Sequence, residues 1–229
     1  MATTIQQIET PKRVRALDTS GNNNHGQIYS GRALEFDGVT DHLTGPTNIN
    51  TSHGITNTIT VVCWVKQTSF SGTQWWNIFN DTSDGWGIKT GSQELELYND
   101  IDGGDVELYS TRIEKDTWYR VVTVMDNLEQ KLYINGTLVG SGINVTDGLD
   151  SFNSALWIGQ RGNSANYFNG AMTDFQVWDT AWSADDVTYD YLNPESLALN
   201  RGGTSLTNSN LKLWYPMQDG HRGNQSYVL

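Results

Sequence analysis

Short runs of β-forming residues recur along this chain, each closed by a turn signal, and few architectures accommodate such a pattern. The runs are Thr58 to Gln67, Trp75 to Asn80, Gly85 to Lys89, Glu94 to Tyr98, Val106 to Ser110, Trp118 to Asp126, Lys131 to Ile134, Ala155 to Ile158 and Met172 to Trp178. Ring-bearing and β-branched residues suit a pleated, half-buried surface, and many short strands at regular spacing indicate a sandwich or barrel. The sharpest local signal is Lys131-Leu132-Tyr133-Ile134-Asn135-Gly136-Thr137-Leu138-Val139. Its two β-runs are joined by Asn-Gly, a pair that tolerates the positive φ angles of a two-residue type I′ hairpin turn.

Helix is scarce. The one convincing piece starts at Ser183, whose hydroxyl can cap the first turn while Asp186, three residues on, takes the place of the capping-box acid. It should end before Pro194. A loop follows at Asn200 to Ser205, and then Leu211-Lys212-Leu213-Trp214-Tyr215-Pro216-Met217 alternates like a strand until Pro216 removes a backbone donor, which suits an edge strand.

The 229 residues fit one sandwich plus a tail. Nine Trp and ten Tyr make the chain unusually aromatic, and its scattered glycines and few prolines argue against linker or low-complexity material. A net charge of −12 would repel a phosphate backbone, and the basic residues form nothing longer than Lys12-Arg13-Val14-Arg15, so nucleic acid is not an expected partner. Cys63 is the only cysteine, which excludes an intramolecular disulfide and a Cys-rich zinc site, and its neighbours Val61, Val62, Trp64 and Val65 place it in the core. No window approaches the ~20 apolar residues of a membrane span, and no apolar stretch follows Met1, so neither membrane insertion nor a signal peptide is expected in this chain. The sequons at Asn80, Asn135, Asn144 and Asn224 read as coincidence in a sequence rich in Asn and Thr.

Three passages together resemble the laminin-G-like (concanavalin-A-like) jelly-roll superfamily of lectins and glucanases. The first is Asp18-Thr19-Ser20-Gly21-Asn22-Asn23-Asn24-His25-Gly26 followed by Ala33-Leu34-Glu35-Phe36-Asp37-Gly38-Val39-Thr40-Asp41. The second is the Trp118-Tyr119-Arg120-Val121 strand leading into the Asn-Gly hairpin. The third is Leu156-Trp157-Ile158-Gly159-Gln160 with Phe168-Asn169-Gly170-Ala171-Met172-Thr173-Asp174-Phe175-Gln176-Val177-Trp178. The resemblance spans roughly Leu17 to Val187 and implies an all-β, two-sheet antiparallel jelly-roll sandwich with one short helix after the last core strand. Members of this superfamily usually begin with a strand reading like L-x-x-W-Y-P-F. Here that strand is found at the far end, as Leu211 to Met217. The expected organisation is a sandwich over 1–195 and a C-terminal segment over 196–229. Either strand 211–217 completes the same sandwich, the favoured arrangement, or it pairs with a neighbouring subunit or repeat.

The same resemblance implies a structural calcium, held by Asp174 in the place of the aspartate before the last strand. Hard oxygens on loops are what calcium selects, and Asp37, in the Phe36-Asp37-Gly38 turn with Asp41, is the second candidate, set against plain turn formation. His25 lacks a second His or a Cys nearby and is read as structural. Pentraxins, a related family, carry acids after the Ile-Gly-Gln element where this chain has Arg161-Gly162-Asn163, so that calcium site is not expected.

For a glycan, flat rings stack on pyranose faces while Asn, Asp and Arg supply directional hydrogen bonds. Two loops combine both: Trp75 and Trp76 with Asp81 to Trp86, and Arg161, Asn163 and Tyr167. Trp75 and Trp76 are adjacent in a strand, so at most one of them is expected in the core. Trp64, Trp118, Trp157 and Trp178 lie inside strong β-runs and are expected there. The glucanase carboxylate pattern E-x-D-x-x-E is absent, and its nearest imitation, Glu94 and Glu96, reads as a solvated outer face. The leading expectation is therefore a non-catalytic, lectin-like domain of a larger surface or virion-associated protein, found outside the cell or on the virion surface, with a glycan as partner. An assembly module of a phage or viral particle is the alternative, and a glycoside hydrolase is disfavoured.

Overall fold

A computed structural model of the chain describes residues 15–16, 26–27, 33–55, 57–79, 85–101, 104–105, 107–143, 155–162 and 165–217. In chain order the elements begin with β1 (Arg15–Ala16), β2 (Gly26–Gln27), β3 (Leu34–Asp37), β4 (Leu43–Thr47) and α1 (Ile49–His53). Next come β5 (Thr58–Gln67), β6 (Gln74–Phe79), β7 (Trp86–Gly91), β8 (Glu94–Ile101), β9 (Gly104–Asp105), β10 (Leu108–Arg112), β11 (Trp118–Asp126), β12 (Glu129–Ile134) and β13 (Thr137–Ile143). The last are β14 (Ala155–Ile158), β15 (Asn169–Trp178), α2 (Ala184–Leu192) and β16 (Leu211–Tyr215). Two antiparallel sheets face each other. The first has the order β10-β8-β7-β6-β14-β4, with β9 beside β8. The second has the order β13-β12-β11-β5-β15-β16, with β3 beside β15. This is the two-sheet sandwich with a helix after the last core strand that the motifs imply.

Period-2 alternation builds the space between the sheets. Trp76, Phe79, Trp86, Ile88, Leu95, Leu97, Leu156 and Ile158 of the first sheet meet Val61, Cys63, Val65, Val121, Leu132, Met172, Phe175 and Val177 of the second. Burial pushes the Cys63 thiol up to about 12, so it is an inert core residue. The hairpin between β12 and β13 has Asn135 at φ 50° and Gly136 at φ 80°, the positive pair a type I′ turn requires.

The β5 run Thr-Ile-Thr-Val-Val-Cys-Trp-Val is nearly continuous in apolar residues because the strand is covered on both faces. On its outer side a second core collects Val62, Val122, Val124, Tyr133, Trp178, Trp182, Val187, Leu197, Ala198 and Trp214 beneath α2 and the segment after it. α2 begins at the capping box read from the sequence: Ser183 Oγ accepts the Asp186 N–H at 3.2 Å, and the Asp186 carboxylate accepts the Ser183 N–H at 2.9 Å.

Trp178 belongs to this second core, and the other three tryptophans expected between the sheets lie elsewhere. Trp118 is 37% exposed at the start of β11, with Lys66 over its ring at 5.5 Å. Trp64 lies partly exposed between Tyr191 and Arg120. Trp157 faces outward from the first sheet. Membership of a strand sets no face by itself; the register with neighbouring strands does. No described helix is long and apolar enough to cross a membrane.

β16 lies antiparallel to the C-terminal half of β15, with Phe175 opposite Tyr215, Gln176 opposite Trp214 and Val177 opposite Leu213. β3 occupies the same flank of β15 along Asn169 to Met172. Between the two, β15 bulges at Asp174, whose φ of 54° an aspartate tolerates better than most residues.

Candidate functional site

The outer face of the second sheet is occupied by α2 and the chain following it. The outer face of the first sheet carries no such layer among the described elements, and its composition follows from alternation. On β8, Leu95 and Leu97 point into the core, so Glu96 and Tyr98 point out. The pairings then extend two rows across the sheet. One runs Tyr109, Glu96, Lys89, Trp75, and the other Tyr98, Gly87, Ile78, Trp157.

Lys89 organises the first row. Its Nζ lies 4.4 Å from the Tyr98 ring centroid and 5.5 Å from that of Trp75, and it pairs with Glu96 at 2.5 Å and Glu107 at 3.6 Å. Burial pushes the Glu96 carboxyl up, against the pull of Lys89, while a hydrogen bond from Tyr109 holds Glu107 down. Glu96 does face outward as its alternation suggests, yet it is 7% exposed rather than solvated.

Trp75 stands edge-on to Tyr98, with ring centroids 5.2 Å apart, and Arg161 covers it from the other side with Cζ 5.6 Å from the indole centroid. Arg161 is placed by a loop tied to the sheet through the backbone. The Trp75 N–H donates to the Asn166 carbonyl, the Arg161 N–H to Ala165, the Phe168 N–H to Gly159 and the Gly159 N–H to Trp76. Beyond the loop, the exposed His42 ring lies 5.9 Å from Trp157 and 6.3 Å from Tyr167, both half-buried.

Gly159 starts this loop at φ +85°, and a Cβ there would lie 2.5 Å from the Phe36 ring, itself locked in the core. Gly159→Ala is expected to cost about 2–4 kcal/mol, from left-handed strain and overpacking together, and to lower the melting temperature by roughly 5–15 °C in a calorimetric scan.

Of the ring-bearing residues proposed from sequence to touch a ligand, Trp76 and Trp86 are fully buried between the sheets. Trp76 Nε1 donates to Gln67 at 3.0 Å, Trp86 Nε1 donates to Gln130 at 3.2 Å, and neither ring can stack on a sugar. Both members of the Trp75-Trp76 pair are buried, because Trp75 faces out but lies 2% exposed under Arg161, Lys89 and Tyr98. Arg161 and Tyr167 do lie on the open face. Asp81 and Asn163 fall outside the described residues, as does His25. Sequence reasoning missed Lys89, Tyr98, Tyr109, His42 and the outward Trp157. The alternation of Glu94 to Tyr98 carried part of that signal; the pairing register that gathers the rest did not.

Asp37 and Asp174, the residues named for calcium, are both engaged by protein donors. Asp37 Oδ1 accepts the N–H groups of Val39, Thr40 and Asp41 at 2.8, 2.8 and 3.0 Å, and its Oδ2 accepts the Thr40 hydroxyl at 3.1 Å. Those donors hold its carboxyl well below the usual range, the mark of a turn-forming aspartate. Asp174 is buried, with Oδ1 accepting from Gln176 Nε2 at 2.9 Å and Trp214 Nε1 at 2.7 Å, and Oδ2 lying 2.9 Å from Arg120. The strand partner of Asp37 is Asn169, five residues before Asp174 along β15. Among the described residues no group of three or more His, Cys, Asp or Glu could hold a metal ion.

The family model of the concanavalin A-like lectin/glucanases superfamily matches residues 36–188. The chain belongs to that superfamily. A search of curated proteins finds no match to the sequence. Among solved structures the chain is similar to a Bacteroides ovatus protein assigned to carbohydrate binding, at TM-score 0.63 and 15% identity over 91% of this chain and 59% of that one. It thus spans about three fifths of that protein's length. It is also similar to the carbohydrate-binding module of the Ruminococcus gnavus IT-sialidase, solved with α2,3-sialyllactose (TM-score 0.51, 19% identity, 69% of this chain and 98% of that one). A third is domain 4 of an extracellular arabinanase from Geobacillus stearothermophilus, solved with arabinotriose (TM-score 0.52, 18% identity, 73% and 77%). At these identities the likeness concerns the fold.

Proposed function

We propose that this chain is a non-catalytic carbohydrate-recognition domain that binds an oligosaccharide across the outer face of its first sheet, as part of a larger surface or virion-associated protein. The observation carrying this reading is that face itself. It presents Tyr98, Tyr109, Trp157, Tyr167 and His42 as partly open rings beside the polar heads of Lys89 and Arg161, while the opposite sheet is sealed by a second core. Rings supply stacking area and the charged heads fix orientation. Structural neighbours that bind sugars support the same reading.

A hydrolase would draw on Glu96 and Glu107, whose environments push their affinities for a proton apart. Both carboxylates are instead occupied as ion-pair partners of the one Lys89, at 2.5 and 3.6 Å. They hold the lysine across the sheet.

On a glycan array, with binding then measured by calorimetry, Trp157→Ala and Tyr167→Ala are each expected to weaken the bound oligosaccharide about tenfold or more, as loss of an aromatic anchor does. Both side chains are half-exposed, so the melting temperature should move by only about 2–4 °C. Runs with calcium and with chelator test the metal separately. Absence of binding on a broad array, together with concentration-dependent oligomers, would favour the assembly reading instead. The feature behind that reading is β16, an edge strand whose far side pairs with no described strand.

A further inference from the structure

We propose that the glycan carries a carboxylate and that Arg161 is the residue that receives it, an inference resting on the carbohydrate-binding reading above. Arg161 is half-buried with its Cζ 5.6 Å from the Trp75 ring centroid, and its guanidinium has no carboxylate partner among the described residues. Its Nε is buried without a hydrogen-bond acceptor, and so is Trp75 Nε1 beneath it, although Trp75 is 2% exposed. Two donors, one on each of these residues, are thus withdrawn from water with no acceptor supplied by the described residues. Burial without compensation costs free energy, and most such groups in folded proteins are satisfied.

The situation of Lys89, on the same ring, is the opposite, since Glu96 and Glu107 consume its charge. Arg120, Lys131 and Lys212 are likewise ion-paired within 3 Å. In a chain of net charge −12 carboxylates are abundant, and none of the described ones neutralises the Arg161 guanidinium. A ligand oxygen pair is the missing component. A guanidinium is planar and offers two parallel donors that match the oxygen pair of a carboxylate. A neutral sugar hydroxyl could meet one donor but would leave the charge uncompensated. The ligand chemistry is therefore a sugar acid, whether a hexuronic or a sialic acid.

The test uses the full chain in calorimetric titrations with hexuronate oligosaccharides, sialylated oligosaccharides, and the carboxyl-reduced form of each, on the wild type and on Arg161→Gln. One acid series is expected to bind, its reduced form about tenfold or more weaker, with Arg161→Gln erasing that difference. Which acid series binds identifies the source of the carboxylate. Equal binding of acid and reduced forms by the wild type overturns the proposal while leaving glycan recognition standing, and it needs no variant to be folded. Undiminished acid binding by a folded Arg161→Gln chain overturns it as well. If no glycan of either kind binds, the reading of the face as a carbohydrate site falls, and this inference with it.

Discussion

Replacing Arg120 by methionine is expected to destabilise the protein by about 3–5 kcal/mol at pH 7, the usual cost of leaving a buried charge without its partner. Arg120 is fully buried and forms a fork with Asp190, Nε to Oδ2 at 2.7 Å and Nη2 to Oδ1 at 3.0 Å. Its Nη1 lies 2.9 Å from Asp174 Oδ2 and 3.3 Å from the Asp174 carbonyl. One cation therefore answers two carboxylates, from the β15 bulge and from α2, and joins the sheet to the layer that seals it. Without it both carboxylates are left buried and uncompensated, and the Asp174 carboxyl, already raised by burial, is raised further. The loss measured by urea unfolding should consequently be smaller at pH 5 than at pH 7. A variant as stable as the wild type at pH 7 would mean that the triad is solvated.

The wild type carries a related pH signature. Burial, partly offset by Arg120, raises the Asp174 carboxyl to about 6 from an ordinary 3.8. Between those values the folded chain binds a proton that the unfolded chain has released. The stability owed to this group is therefore full below the unfolded value and is lost as pH rises through about 6. Asp174→Asn should remove that slope, visible as a difference between the two stability curves from pH 4 to pH 7.

Truncation before Leu211 is expected to abolish cooperative folding. The removed segment buries Leu213, Trp214 and Met217, at 0%, 9% and 9% exposure, and each such side chain contributes about 1.5–3 kcal/mol. It also strips β15 of its ladder partner and Asp174 of the Trp214 N–H. The sum over the three side chains, about 4.5–9 kcal/mol, is comparable with the entire ~5–15 kcal/mol of an ordinary domain. Circular dichroism should show no sharp melt above ambient temperature. An unchanged melt would show that the segment is dispensable to the sandwich.

Alternation and turn chemistry are local properties, and they made the strands, the Asn135-Gly136 turn and the Ser183 cap legible from sequence. Each depends on residues within a few positions of one another. The candidate site was only half legible. Arg161 and Tyr167 were singled out for their chemistry, and they do reach the open face. Trp76 and Trp86 were singled out on the same grounds and are core, while Trp157, expected in the core, faces out. A tryptophan reads alike in either role, and a one-residue slip in register reverses its face.

By itself, then, the sequence determined the class of fold, the buried thiol and the capped helix, because composition and short-range periodicity suffice for these. Only the tertiary structure decided which sheet face stays open and that Lys89 is neutralised where Arg161 is not. It alone showed Asp37 as a turn anchor and Asp174 as an ion-pair partner of Arg120. Those outcomes depend on groups far apart in the chain, such as Arg120 with Asp190 and Arg161 with Trp75. Nothing short of the strand order and register brings such pairs within reach.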